Sequence, residues 1–192
     1  MRRSLLLLPF SLLALLGTAP AAGAAAPAMA QGRLHEVSVV SVPAAVAHAA
    51  EAAVHIDWRR LGYDVTFVAQ PTGRGQVHAY TDLASRSITV YVRPGQPAAL
   101  TAKIFAYELG HAVDFTCLTP STRRSYLAAR GAVHTDWFAP DLSPEQRYGS
   151  GDLADTFSAW ATHSTPYYSS TVGPVPTPAA LHALRAYWSC TR

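Results

Sequence analysis

Residues 97–115 read PAALTAKIFAYELGHAVDF, and this stretch decides the architecture. Apolar side chains fall on nearly every face of a helix drawn from Pro97 to Phe115, and only Lys103, Glu108 and Asp114 carry charge. A helix that is apolar all round belongs in the middle of a domain. The rest of the chain must then supply layers to cover it.

Upstream, the periodicity changes. Glu36 to Val42 alternates enough valine with polar residues to predict a first strand, closed by Pro43. Ala44 to Leu61 repeats at helical spacing up to Gly62, a suitable C-terminal cap. Tyr63–Val68, Gln76–Tyr80 and Ser87–Val92 read as strands. The Pro71–Gly75 turn cluster lies between the first two, which suggests an antiparallel meander. The Gly73/Gly75 pair reads as part of that turn, because no strand, glycine loop and helix surround it in the order a phosphate cradle needs. Downstream, Ser121–Arg130 is expected to be a helix stopped by Gly131, Asp152–Thr162 another, and Thr177 the N-cap of a last one running to Ser189. Strands first and helices after give an α+β fold, a small N-terminal sheet packed on the buried helix and followed by further helices.

The first thirty residues are set apart by composition. Met1-Arg2-Arg3-Ser4 precedes the apolar run Leu5–Gly17 and an Ala/Pro stretch ending at Ala30, the order of a secretory signal peptide. The expectation is a leader over 1–30 and a single domain over 31–192, in the extracellular space or the cell envelope. The apolar run is shorter than the roughly 20 residues that span a bilayer, and no later segment is long enough either, so no membrane span is expected in the mature chain. Without Arg2 and Arg3 the basic residues fall from 15 to 13 against 12 acidic ones. That balance leaves no electrostatic case for nucleic acid. Cys117 and Cys190 are the only cysteines. In an oxidising compartment one disulfide between them is the natural reading, with two buried free thiols as the alternative.

Within the decisive helix, Tyr107-Glu108-Leu109-Gly110-His111 is the H-E-x-x-H pattern with tyrosine in place of the first histidine. Residues at i and i+4 lie about 40° apart around a helix, so Tyr107 and His111 point the same way and Glu108 lies beside that face. In the intact pattern the histidines hold zinc and the glutamate activates its bound water. Singly, each residue has a plainer reading: a core aromatic, a hydrogen-bonded core histidine, a glutamate that needs a partner or a site.

The flanking residues take the argument further. His111-Ala112-Val113-Asp114, Leu118-Thr119, Arg124, Tyr126-Leu127, Arg130-Gly131, Trp137 and Gly151-Asp152-Leu153-Ala154-Asp155-Thr156-Phe157 together resemble small secreted zinc metallopeptidases of the zincin type. In those, H-E-L-G-H-x-x-D is followed some forty residues later by a helix reading E-D-F-A-E-x-F. The resemblance covers roughly residues 100–162 and implies a zincin-like fold, in which a mixed sheet lies over the motif helix and a downstream glutamate completes the zinc site. By that resemblance Glu108 matches the general base and His111 the second histidine ligand, and Asp114 is placed to orient His111. Tyr107 takes the place of the first ligand, and the ligand glutamate falls on Gly151. Asp152, with Asp155 as a second candidate, is the acid expected to substitute, and His134 and His163 lie in or next to the same regions.

A neutral tyrosine is a poor ligand, its phenol having a pKa near 10, so the resemblance implies zinc held weakly or not at all. The expected function is that of a non-catalytic or impaired metallopeptidase-like protein whose cleft binds peptide or an envelope component. The alternative is an active extracellular zinc metallopeptidase with Glu108 as general base and an unusual ligand set. A structural secreted domain without a ligand is the third reading.

Overall fold

The computed structural model describes residues 34–36, 44–70, 77–140 and 143–191. The expected leader, most of the first expected strand and the turn at 71–75 lie outside these. Among the described residues nine elements follow one another, β1 (Leu34–Glu36), α1 (Ala44–Ala52), β2 (Asp64–Ala69), β3 (Ala79–Asp82), β4 (Ser87–Val92), α2 (Ala98–Cys117), α3 (Pro120–Ala129), α4 (Gly149–Thr162) and α5 (Pro178–Leu184). Short 3-10 turns are interspersed at Trp58–Leu61, Glu145–Arg147 and Arg185–Thr191. The fold is α+β, with the strands before the main helices.

The sheet order is β1-β2-β4-β3. β2 pairs in parallel with both β1 and β4, and only the β3–β4 pair is antiparallel. The meander is therefore corrected to a mixed sheet. Alternation places Ile88, Val90 and Val92 of β4 in the core, but it says nothing of which strand lies next to which. β4, buried on one face at every second residue, takes the middle beside β2. The short and polar β3, Ala79-Tyr80-Thr81-Asp82, is left on the edge.

The helix expected over Ala44–Leu61 is also corrected, because it breaks after Ala52 and resumes as the 3-10 turn Trp58–Leu61. Between them the His55 amide donates to the Ala161 carbonyl at the end of α4, 2.8 Å away. That tertiary bond and the burial of Trp58 draw the chain inward. Gly62 closes the segment as expected, at φ +70°.

α2 is the hub. From Thr101 to Asp114 every residue but Lys103 and His111 is buried. Phe105 meets Trp58 and Phe67 edge-on, at ring centroid distances of 5.4 and 5.5 Å. Burying such side chains contributes about 1.5–3 kcal/mol each. On its other face α2 approaches α4 backbone to backbone, since a Cβ on Gly110 would lie 2.6 Å from the Ala154 Cα. One buried cluster runs from Ala47 through these helices to Trp188. Thr119 caps α3 with a reciprocal Thr119/Thr122 box, and Gly131 follows it at φ +70°. Thr177 caps α5 through the Ala180 amide. Cys117, at the end of α2, and Cys190 are paired at disulfide distance, with Cα atoms 5.9 Å apart.

Candidate functional site

The cleft forms where the edge strand β3 passes over the middle of α2. The Thr81 hydroxyl donates to the Glu108 Oε2, 2.7 Å away, and ties the strand to the helix. Glu108 is 7% exposed. Burial raises the pKa of its carboxyl above the ordinary value, and the opposing pull of His111, Thr81 and Lys103 does not cancel this.

One helical turn spans the next pair. The Tyr107 ring stands edge-on to the His111 imidazole, with centroids 5.0 Å apart, as the i, i+4 spacing requires. The Lys103 ammonium sits 4.5 Å from the centre of the Tyr107 ring. Tyr107 is 6% exposed, and its hydroxyl has no hydrogen-bond partner among the described residues. The Glu145 carboxylate is the group that acts on that hydroxyl, through its charge and as a nearby acceptor. Burial, and then the charges of Glu145, Asp155 and Glu108, push the phenol far above its usual pKa.

His111 points its Nε2 at the Oε2 of Glu145, 3.4 Å away. Burial would depress the imidazole, but the facing Glu145 carboxylate and the charges of Glu108 and Asp114 outweigh it and leave its pKa raised. In turn, burial would raise the Glu145 carboxyl, yet His111 first, then Tyr107 and Lys103, hold it below the usual glutamate range. A cleft of about 380 Å³ is lined by Thr81, Glu108, His111, Glu145 and Ser150 on its polar side. Tyr80, Leu83, Phe115 and Phe138 form its apolar rim, each 40–49% exposed.

Sequence reasoning missed Glu145. It sits on the 3-10 turn Glu145–Arg147, in the connection ahead of α4, where no periodicity marks it. A fold-level reason joins it to Gly151: a Cβ there would collide with the Glu145 carbonyl. The loop backbone thus occupies the space beside Gly151, and the carboxylate that reaches the site comes from the loop.

Asp152 and Asp155 are committed elsewhere. Asp152 is fully buried and accepts from Tyr126 at 2.7 Å, from Arg130 at 2.8 and 3.1 Å, from Tyr168 at 3.0 Å and from Ser170 at 2.5 Å. Asp155 pairs with Lys103 at 2.9 Å and accepts from the Ser169 amide and hydroxyl at 2.9 and 2.8 Å. Both acids fasten the loop after α4, and neither lines the cleft. Asp114 accepts from Arg123 at 2.7 Å and from the Trp137 indole at 2.9 Å, so it reaches His111 through its charge. His163 stacks on His55 at 4.7 Å and lines a separate cavity with Trp160 and His182. His134 is exposed in the loop after α3. The structure thus gathers Tyr107, Glu108 and His111 with Glu145, and keeps Asp152, Asp155 and Asp114 for packing. No three His, Cys, Asp or Glu side chains among the described residues form a metal-binding group.

Comparison of the chain with known protein families, curated proteins and solved structures gives no match.

Proposed function

We propose that this is a secreted, zincin-type metallopeptidase-like protein that holds zinc weakly or not at all, is non-catalytic or impaired, and binds peptide or an envelope component in its cleft. The observation that carries the reading is the Glu145 carboxylate on the His111 Nε2, the nitrogen a metal would need. A zinc centre takes at least three protein donors, and the donors here fit it poorly. Tyr107 would have to lose its proton where burial and three carboxylates oppose that. Asp152 and Asp155 are spent on Arg130 and Lys103, and Gly151 has no room for a side chain.

Support for a peptide ligand comes from the rim and the sheet. β3 ends the sheet, and no described strand pairs with its outer side. An open edge offers main-chain donors and acceptors to an extended chain. The apolar rim beside it is where side chains of such a chain lose contact with water.

The test is peptide cleavage with zinc supplied, comparing wild type with Glu108→Gln. The reading expects no Glu108-dependent cleavage or only a trace of it. Turnover by wild type that disappears in Glu108→Gln would establish the alternative, an active zinc peptidase with Glu108 as general base.

A further inference from the structure

Opposite the His111 Nε2, 3.4 Å away, stands the Glu145 carboxylate, which only accepts hydrogen bonds, so the two are matched when that nitrogen carries the proton. The donor is fixed and mostly enclosed, on the buried helix α2, with its side chain 13% exposed. The acceptor is more open: the Glu145 side chain is 42% exposed, on a short turn whose backbone packs against Gly151. Their 3.4 Å separation exceeds the 2.7–2.9 Å of a strong charge-assisted bond. A fixed donor facing a loosely held carboxylate is a place where one carboxylate can replace another without adding charge to the cleft beside Glu108.

The surroundings say which carboxylate. Phe115 and Phe138 stack at 5.8 Å and 19° and line the same cleft, together with Tyr80 and Leu83. A ligand that fills both parts carries a large apolar group next to a free carboxylate.

We propose that the cleft binds the free C-terminal carboxylate of a peptide whose last residue is large and apolar, the incoming carboxylate exchanging with that of Glu145 on His111. This rests on the peptide-binding, metal-poor reading above and deepens it by naming the ligand class. Glu145 is then a built-in competitor, whose side chain swings toward solvent when the cleft fills while the turn backbone stays packed against Gly151.

Calorimetric titration of the mature protein, in buffer with a chelator, with the tripeptide Ala-Ala-Phe as free acid and as C-terminal amide tests this. The free acid is expected to bind about tenfold or more tighter than the amide, the size of one charged hydrogen bond. Glu145→Gln is expected to tighten the free acid further, a gain that a purely structural role for Glu145 would not produce, and His111→Gln to make acid and amide equal. Equal affinities for acid and amide in wild type would overturn the carboxylate assignment and leave peptide binding standing. No binding of either would overturn both. Retention of the full preference for the acid in His111→Gln would overturn the role of the histidine.

Discussion

Two polar clusters, one around Asp152 and one around His111, differ in how completely they are satisfied. Around Asp152, between α3, α4 and the loop after α4, every carboxylate oxygen has at least two donors, and Arg130 continues the network to the Tyr168 hydroxyl and the Pro174 carbonyl. Around His111, on the cleft side of α2, the Tyr107 hydroxyl makes no well-formed hydrogen bond among the described residues, Glu108 has one hydroxyl, and the His111–Glu145 contact is long and open to water. A saturated network rigidifies what it joins, whereas an under-satisfied one leaves groups to be used by something else. Similar residue types thus do different work, and the difference lies in their partners.

The comparison breaks most visibly if stability does not follow saturation. Asp152→Ala leaves the Arg130 guanidinium, whose side chain is 5% exposed, without its buried partner, and is expected to cost about 3–5 kcal/mol. Glu108→Gln keeps an oxygen for Thr81 and removes a charge the site disfavours, and is expected to stay within about 1 kcal/mol of wild type. Denaturant melts of the two variants measure this directly. A larger loss for Glu108→Gln would make Glu108 the structural acid and Asp152 the available one.

A smaller effect sharpens the link between Gly151 and Glu145. Gly151→Ala pushes a methyl group into the Glu145 carbonyl, an overpacking expected to cost about 1–3 kcal/mol. Because the turn carrying Glu145 must shift, the variant is also expected to loosen the His111–Glu145 contact, visible as a change in the His111 imidazole signals by NMR. Wild-type stability and unchanged signals would mean the turn does not rest on Gly151.

The sequence reads well where a local rule decides and poorly where a distant partner does. β4 is found at its full length because alternation is local, and α2 because an all-round apolar helix has only one place to go. The helix at 44–61 is overdrawn because its break depends on the end of α4. The parallel pairing of β2 with β4 escapes because strand order is not written in alternation. At the site, Tyr107, Glu108 and His111 are legible through helical spacing. Glu145 is not, since a loop delivers it. Asp152 reads as a free acid only until Arg130, Tyr168 and Ser170, all remote in sequence, close around it.

The central claim is that Tyr107 and the Glu145 contact together keep zinc from His111. Zinc affinity measured against a competing chelator, for wild type and for Tyr107→His, tests it most directly. Tyr107→His restores the i, i+4 histidine pair beside an unchanged Glu108, giving zinc two nitrogens to set against the Glu145 contact. Weak or undetectable binding by wild type and much tighter binding by Tyr107→His is the predicted result. Tight binding by wild type, or equal and negligible affinity in both, would contradict it.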